Sequence, residues 1–381
     1  MKKSQKIWLS SPQIDEESEL AVTEALKANW ITVGGPFVTA FEQSLSSTLE
    51  TSREIVVLNS GSAALHLALI LAGVQRDDYV LCQTMTYVAT ANPIAYLGAI
   101  PVFVDSEKQS FNLSAAYLEE AILWCIEKGK KPAALIAVHS YGMPFEVEKI
   151  ASLAAKYEIP LIEDAAEALG SSCKAKNCGL LGDYGVFSFN GNKIITTGGG
   201  GALVCKKPAD AKQARHLATQ AKSGASGFEH DAIGYNYAMP GLNAVLGMSQ
   251  LKTLQKRIKS KQKNHVFYKN IFDKIPGVDL LEVPNSSYVS NYWLNCIHFT
   301  EEILKIKTTE GLRLFFEQHE IESRFLWKPL HLQNIYKSQE YFGDQVAENL
   351  WKSGLALPSG SSLSESELNR IKKALIDYFS A

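Results

Sequence analysis

Residues 54–205 alternate short apolar runs with longer amphipathic runs, and this alternation constrains the fold more than any other feature. The apolar runs have the length and composition of strands that are buried on both faces. They are EIVVL (54–58), YVLC (79–82), PVFV (101–104), AALIAV (133–138), PLIE (160–163), GVFSF (185–189) and GALVC (201–205). The intervening runs space apolar residues three and four apart, as amphipathic helices do. The pattern predicts an α/β fold in which a mostly parallel seven-stranded sheet lies between helices.

The pattern changes after Tyr237. One long helical stretch is predicted, basic in its second half, followed by a smaller mixed region with one strand and two closing helices. These elements are the helix 241–272, the strand 293–299 and the helices near 309–319 and 364–379. We expect a large domain over residues 1–260 and a smaller C-terminal α+β domain over residues 261–381.

Composition argues against several classes of partner. The chain has 38 Lys+Arg and 40 Asp+Glu, so neither nucleic acid nor an anionic membrane is expected as its main partner. No apolar run approaches the roughly 18 residues of a membrane span, and the N-terminal residues turn polar early, which predicts a cytoplasmic protein. The six cysteines show no Cys-x-x-Cys spacing and the eight histidines no ligand spacing. Buried free thiols and no metal site are therefore expected.

Polar and aromatic residues follow several predicted strands, where ligands collect in open parallel sheets. Asp164 follows PLIE and is a candidate cofactor partner, although a helix cap would look the same. Tyr87 follows YVLC and is a candidate ring platform or a core aromatic. His139 follows AALIAV and is either a catalytic or a hydrogen-bonded structural histidine.

Two further segments combine strands with unusual turns. LNSGSAALHLAL (58–69) predicts a strand, a tight turn and a helix start, which offers free N–H groups to a phosphate. A plain capped helix would give the same pattern. SFNGNKIITTGGGG (188–201) places Lys193 before four glycines. A flexible turn explains one or two glycines; a run of four suggests that the backbone passes close to a large substrate.

Taken together, these features meet the needs of pyridoxal phosphate. Its aldehyde needs an uncharged amine to form a Schiff base, which Lys193 offers once it is shielded from water. Its pyridine nitrogen needs a carboxylate to keep it protonated, and Asp164 is placed for this. The helix start would take the phosphate, and an aromatic side chain the ring.

The chain resembles the DegT/DnrJ/EryC1/StrS family of sugar aminotransferases, within fold-type I of the pyridoxal phosphate enzymes. The resemblance covers nearly the whole chain as a series of ordered matches. They are NWITVGGPFVTAFE (29–42), NSGSAALHLAL (59–69), TYVATANPIAYLGAIPVFVD (86–105), VHSYGMP (138–144), PLIEDAAEALGS (160–171), SFNGNKIITTGGGG (188–201) and GYNYAMPGLNAVLGMSQL (234–251).

The resemblance implies roles for particular residues. Lys193 would form the Schiff base, Asp164 would face the pyridine nitrogen, Glu167 would lie near the phenolic oxygen, and Tyr87 would stack on the ring. The phosphate would be held by Gly61, Ser62, Ala63 and Ser188, and by Asn236 of a second subunit in a homodimer with shared sites. Substrate contacts would come from Asn29, Trp30, Ile31, Thr32, His139, Arg324, Trp327 and Lys328.

The resemblance also implies a reaction. Glutamate would convert the cofactor to pyridoxamine phosphate, which would then aminate a nucleotide-linked keto sugar. FNGNKIITTGGGG, with RFLWKPLH (324–331) and LPSG (357–360), is similar to the branch that aminates C4 of UDP-linked 4-keto-6-deoxy-N-acetylhexosamines, on routes to bacillosamine or legionaminic acid. The chain departs from the family at Ala238, where relatives usually have arginine. Loss of this cation would weaken or change contacts with an anionic substrate and would leave the transamination chemistry in place.

Other functions stay open at this point. A C3- or C4-aminotransferase for a dTDP- or GDP-linked sugar would carry the same chemistry. A dehydratase of this fold would replace Lys193 with histidine, and a Schiff-base aldolase would not need Ser62 and Asp164. A non-catalytic regulator that binds a sugar nucleotide would have no use for Lys193.

Overall fold

The apolar runs form one sheet at the centre of the molecule. The computed structural model describes residues 6–224 and 228–380. Its strands are β1 Glu54–Leu58, β2 Tyr79–Gln83, β3 Ile100–Val104, β4 Ala134–Val138, β5 Leu161–Asp164, β6 Ser172–Cys173, β7 Lys176–Asn177, β8 Tyr184–Ser188, β9 Gly201–Cys205, β10 Val278–Leu280, β11 Tyr288–Val289, β12 Asn295–Phe299, β13 Arg324–Phe325, β14 Tyr341–Phe342 and β15 Gly354–Leu357.

Helices pack against this sheet and against a smaller sheet formed by the C-terminal residues. They are α1 Glu16–Lys27, α2 Pro36–Thr48, α3 Gly61–Leu71, α4 Asn92–Tyr96, α5 Ala115–Glu127, α6 Val147–Lys156, α7 Pro208–Ala218, α8 Gly241–Lys252, α9 Leu254–Phe272, α10 Glu301–Leu304, α11 Thr309–Gln318, α12 Val346–Ser353 and α13 Glu365–Ser380. Among the described residues, no helix combines the length and apolarity needed to cross a membrane. All six cysteines are free and buried, as predicted.

The large sheet has the order β1-β9-β8-β5-β4-β2-β3-β14. All neighbours from β8 to β14 pair in parallel, whereas β9 is antiparallel to both of its neighbours. The α/β architecture and the seven predicted strands are therefore confirmed. An eighth strand, β14, was not predicted; it pairs Tyr341 with Phe103 and Phe342 with Val104 at the edge beside β3.

Helices cover both faces of the sheet because alternate residues of each strand point to opposite sides. In β2, Val80 and Cys82 pack with the apolar side chains of α3. Leu81, between them, packs with α5 and α6 on the other face. Burial on both faces explains why these strands are apolar throughout.

The C-terminal residues form a second sheet, in the order β10-β12-β15-β13, packed against α9, α11 and α13. The predicted strand and closing helices are confirmed as β12, α11 and α13. The single long helix predicted over 241–272 is wrong in detail, because Thr253, with ψ of 2°, separates α8 from α9. The proposed domain boundary near residue 260 would fall within α9 and stays a prediction.

A buried carboxylate ties the C-terminal part to the carboxyl end of β3. Asp105, directly after β3, accepts hydrogen bonds from the N–H groups of Asp344, Val346 and Ala347 at 3.0, 2.9 and 2.8 Å. These groups lie at the start of α12, where free N–H groups favour a negative charge. The contact anchors the C-terminal part at the sheet edge where the parallel strands end.

Candidate active site

A cavity of about 410 Å³ opens at the carboxyl ends of the parallel strands. It is lined by nine of the residues predicted to bind cofactor or substrate. These are Gly61, Ser62, Tyr87, Asp164, Glu167, Ser188, Lys193, Arg324 and Trp327. A second cavity, of about 460 Å³, lies at the opposite end of the sheet beside Asp183 and Lys206 and contains none of the predicted site residues.

Lys193 lies in the loop between β8 and β9. Within this loop, a hydrogen bond from the Lys193 N–H to the Asn190 carbonyl at 3.0 Å forms a turn. The Lys193 side chain is 13% exposed, and its Nζ lies 3.3 Å from Glu167 Oε1. The same Nζ lies 4.0 Å from the ring centroid of Trp293. The amine is thus held between a carboxylate and an indole face at the cavity wall.

Asp164 ends β5 and is 4% exposed. Its Oδ2 accepts a hydrogen bond from Thr90 Oγ1 at 2.8 Å, and its Oδ1 accepts one from the Ala166 N–H at 3.2 Å. Burial raises the pKa of the Asp164 carboxyl, while the hydrogen bonds from Thr90 and Ala166 and the nearby Lys193 charge oppose that rise. A cation that enters the cavity beside Asp164 would favour its ionised form.

Glu167 is the second buried carboxyl group of the cavity, 6% exposed. Its Oε2 accepts a hydrogen bond from the Tyr141 N–H at 2.6 Å. Burial raises the pKa of Glu167, and the Lys193 charge acts against that rise. Glu167 and Lys193 therefore form an ion pair within the cavity wall.

The start of α3 faces the cavity. Ser60 caps this helix by accepting a hydrogen bond from the Ala63 N–H at 3.1 Å, while Gly61 and Ser62 line the cavity. A Cβ on Gly61 would lie 3.2 Å from the Cβ of Ser188. The helix start and the end of β8 thus form a narrow cradle with N–H groups and hydroxyls, which suits a phosphate.

The glycine run has more than one structural cause. Gly198 has a φ of +78°, which favours glycine. A Cβ on Gly200 would lie 2.2 Å from Thr197 Oγ1, and one on Gly201 would lie 2.5 Å from the Gly61 nitrogen. Gly199 and Gly200 also line the cavity. Close packing of β9 against the start of α3 therefore explains some of the four glycines, which were predicted from the sequence to allow the approach of a large substrate.

Aromatic and basic side chains surround the mouth of the cavity. Tyr87 is 54% exposed, and its ring centroid lies 5.3 Å from that of Trp327. The Arg324 side chain is 69% exposed, and its Nη2 lies 2.7 Å from Glu322 Oε1. A cation at this position can attract an anionic ligand.

His139 lies outside the cavity. It is fully buried, its Nε2 lies 2.9 Å from Glu163 Oε2, and its ring stacks on Phe145 with centroids 4.4 Å apart. Glu163 also accepts hydrogen bonds from main-chain N–H groups, for example that of Gly179 at 2.8 Å. His139 is therefore enclosed by protein groups, which favours the structural alternative over a substrate contact. Its predicted contact with substrate stays a prediction.

The other predicted contact residues do not line the cavity of this chain. Ala63 is buried behind the helix cap. The segment 29–32 lies beside the start of α8, where the Thr32 carbonyl accepts a hydrogen bond from the Gly241 N–H at 2.7 Å. The Asn236 carbonyl accepts one from Asn59 Nδ2 at 2.9 Å. Lys328 Nζ lies 5.3 Å from the Trp351 ring centroid. Contributions of Asn29, Trp30, Ile31, Thr32 and Asn236 across a dimer interface stay predictions.

Three side chains at the site were not predicted. Trp293 packs against Lys193, and its Nε1 donates a hydrogen bond to the Asn192 carbonyl at 2.7 Å. Thr90 binds Asp164, and Thr86 Oγ1 lies 2.8 Å from Thr90 Oγ1. Of these, only the threonines could be predicted from the sequence, since they follow β2 at the same strand end as Tyr87.

These residues fit pyridoxal phosphate. An amine and a carboxylate line one cavity, as the aldehyde and the pyridine nitrogen of this cofactor require. The cradle between Gly61 and Ser188 would take the phosphate. Lys193, Asp164, Gly61, Ser62 and Ser188 would therefore hold the group.

Comparisons with known proteins agree with this fit. The model of the DegT/DnrJ/EryC1/StrS aminotransferase family matches residues 12–376. The chain is 39% identical over 378 residues to EpsN of Bacillus subtilis (strain 168), named for pyridoxal phosphate-dependent aminotransferase activity; the match covers 98% of this chain and 96% of EpsN. It is 33% identical over 371 residues to GDP-perosamine synthase of Escherichia coli O157:H7, with 97% of each chain covered.

A solved structure of an aminotransferase has the same fold. The aminotransferase TlmJ from Streptoalloteichus hindustanus superposes with a TM-score of 0.91 at 26% identity, covering 98% of this chain and 99% of TlmJ. Family model, relatives and fold agree over almost the full length. The chain therefore belongs to the DegT/DnrJ/EryC1/StrS family of pyridoxal phosphate-dependent sugar aminotransferases.

Proposed function

We propose that this enzyme transfers an amino group from glutamate to the C4 ketone of a nucleotide-linked 4-keto-6-deoxy sugar. The observation that carries the proposal is that Lys193 and Asp164 line one cavity next to the start of α3. The cavity continues outward to Tyr87, Trp327 and Arg324, which leaves an exposed cation for the diphosphate of a sugar nucleotide.

The chain would hold the cofactor at three points. Lys193 would bond its aldehyde carbon, Asp164 would face its ring nitrogen, and the cradle between Gly61 and Ser188 would take its phosphate. When bound, pyridoxal phosphate supplies a ring that accepts the electrons released when a proton leaves carbon. A protonated ring nitrogen would favour the ionised form of Asp164, although burial raises the pKa of this carboxyl.

Lys193 would act as both base and acid. Once the amine of glutamate has displaced it from the aldehyde carbon, Nζ would be free to take a proton from the α-carbon of glutamate. In the second half of the reaction it would deliver a proton to C4 of the sugar. Glu167, with Oε1 3.3 Å from Nζ, would keep the amine at the cavity wall. Trp293, on the other side of the amine, would help to exclude water.

UDP-2-acetamido-2,6-dideoxy-hexos-4-ulose is our first candidate for the sugar, since FNGNKIITTGGGG and RFLWKPLH resemble the branch that aminates such compounds. The product would then be UDP-N-acetylbacillosamine or a precursor of legionaminic acid. A GDP-linked keto sugar is the second candidate, favoured by the 33% identity to GDP-perosamine synthase. We also propose a homodimer in which Asn236 of one subunit completes the phosphate site of the other.

The test is turnover of a panel of UDP-, GDP- and dTDP-linked 4-keto-6-deoxy sugars with glutamate, followed by mass spectrometry. We expect an amino sugar from the UDP-linked compound. Lys193→Ala should lower turnover at least about 1,000-fold and remove the visible absorbance of the Schiff base between the lysine and the cofactor. The control is Lys206→Ala, because Lys206 pairs with Asp183 at the opposite end of the sheet. Full turnover by Lys193→Ala would contradict the proposed role.

A further inference from the structure

Tyr141 has a backbone conformation that large side chains rarely adopt. It lies in the turn after β4 with φ of 58° and ψ of 15°, and it is 2% exposed. A left-handed conformation at a bulky residue is strained and persists only where the surroundings hold it. Such strain is concentrated at functional sites, so the contacts of this turn are informative.

The main chain of the turn holds Glu167. The Tyr141 N–H donates to Glu167 Oε2 at 2.6 Å, and the opposite carboxylate oxygen lies 3.3 Å from Lys193 Nζ. The next residue, Gly142, has φ of +88°, and a Cβ there would lie 2.0 Å from Asn291 Oδ1. Asn291 in turn donates a hydrogen bond to the Glu167 carbonyl at 3.0 Å. The strained turn and Asn291 together fix the carboxylate beside the catalytic amine.

The side chain of the same residue holds a different wall of the cavity. The Tyr141 hydroxyl accepts a hydrogen bond from the Trp327 N–H at 2.8 Å. The two rings are nearly parallel, at 8°, with centroids 6.1 Å apart. The Trp327 ring then packs against Tyr87 at the mouth. Burial raises the pKa of Tyr141 well above its ordinary value, so the hydroxyl stays uncharged.

We propose that Tyr141 is a positioning residue that sets the distance between the two ends of the site. Its main chain fixes Glu167 at the cofactor end, and its hydroxyl fixes Trp327 at the substrate end. Because the two contacts use different groups of one residue, they can be separated experimentally. The substrate part of this inference rests on the proposed function.

Tyr141→Phe removes only the hydroxyl. We expect the main-chain N–H of Trp327 to exchange its hydrogen with solvent about tenfold faster than in the wild-type protein, since it loses its hydrogen-bond acceptor. The KM for the keto-sugar nucleotide should rise about tenfold, whereas the Kd for pyridoxal phosphate should change less than about threefold. The matched control is Tyr184→Phe, which removes a hydroxyl bonded to Asp210 at 2.8 Å at the other end of the sheet.

The outcomes separate this inference from the proposed function. Unchanged exchange at Trp327 would overturn the inference, and so would equal losses of cofactor and substrate binding. Faster exchange at Trp327 together with a selective rise in KM would support it. If the wild-type enzyme aminates no nucleotide sugar, the proposed function fails, and exchange at Trp327 still decides whether the hydroxyl fixes this wall.

Discussion

Replacing Lys261 with methionine should remove a specific part of the pH dependence of stability. Lys261 is 2% exposed, and its Nζ donates hydrogen bonds to the Ser359 and Trp293 carbonyls at 2.7 and 3.0 Å. A third contact joins it to Ser10 Oγ at 3.4 Å. Burial, with a smaller contribution from the charge of Arg257, lowers the pKa of Lys261 from its ordinary 10.5 to about 7.

The sign and size of the effect follow from proton linkage. Between about pH 7 and pH 10.5 the unfolded chain carries a proton on Lys261 that the folded chain lacks, so stability rises with pH in this window. Each pH unit contributes about 1.4 kcal/mol where the full proton is lost on folding. From about pH 7.5 to about pH 9.5, the wild-type protein should gain about 2 to 3 kcal/mol relative to Lys261→Met.

The assay is equilibrium urea unfolding of both proteins at the two pH values, at equal protein and pyridoxal phosphate concentrations, because bound ligand shifts apparent stability. Methionine matches the volume of the lysine stem but cannot bind the Trp293 carbonyl. Parallel pH dependence of the two proteins would refute the reasoning, since it would show that Lys261 binds the same number of protons in the folded and unfolded chain.

Two further predictions concern the cofactor end of the cavity. Thr90→Val removes a hydrogen bond that lowers the pKa of Asp164. That pKa should rise further, so the acid limb of the kcat/KM pH profile should move to higher pH, and Thr90→Ser should restore it. Gly201→Ala would place a Cβ 2.5 Å from the Gly61 nitrogen, so it should displace the start of α3. We expect the Kd for pyridoxal phosphate to rise at least about tenfold by equilibrium titration, and wild-type affinity would contradict a phosphate site at Gly61.

The central sheet could be predicted because its strands are buried on both faces. Such strands are continuous apolar runs, and the amphipathic segments between them show clearly where each run ends. Tyr341 and Phe342 gave no such signal, since two residues carry no period and join the sheet only through pairing with β3. The break at Thr253 was missed because no glycine or proline marks it.

The candidate site was predictable where local sequence and topology coincide. Asp164 ends a strand, and the strand ends of a parallel sheet converge, so its place could be inferred. Trp293 could not be found in this way. It lies 100 residues after Lys193 along the chain, and only the folded C-terminal part brings the two together. The left-handed φ of Tyr141 could not be predicted either, because the segment Ser140–Gly142 would also suit an ordinary turn.

The short strand β14 has a consequence for the whole chain. By pairing with Phe103 and Val104 of β3, it covers the part of the large sheet's margin where main-chain N–H and carbonyl groups would otherwise be free to bind another molecule. A fragment that stops before Tyr341 would leave that margin bare and open to aggregation. The C-terminal part therefore protects this section of the sheet edge from pairing with another chain.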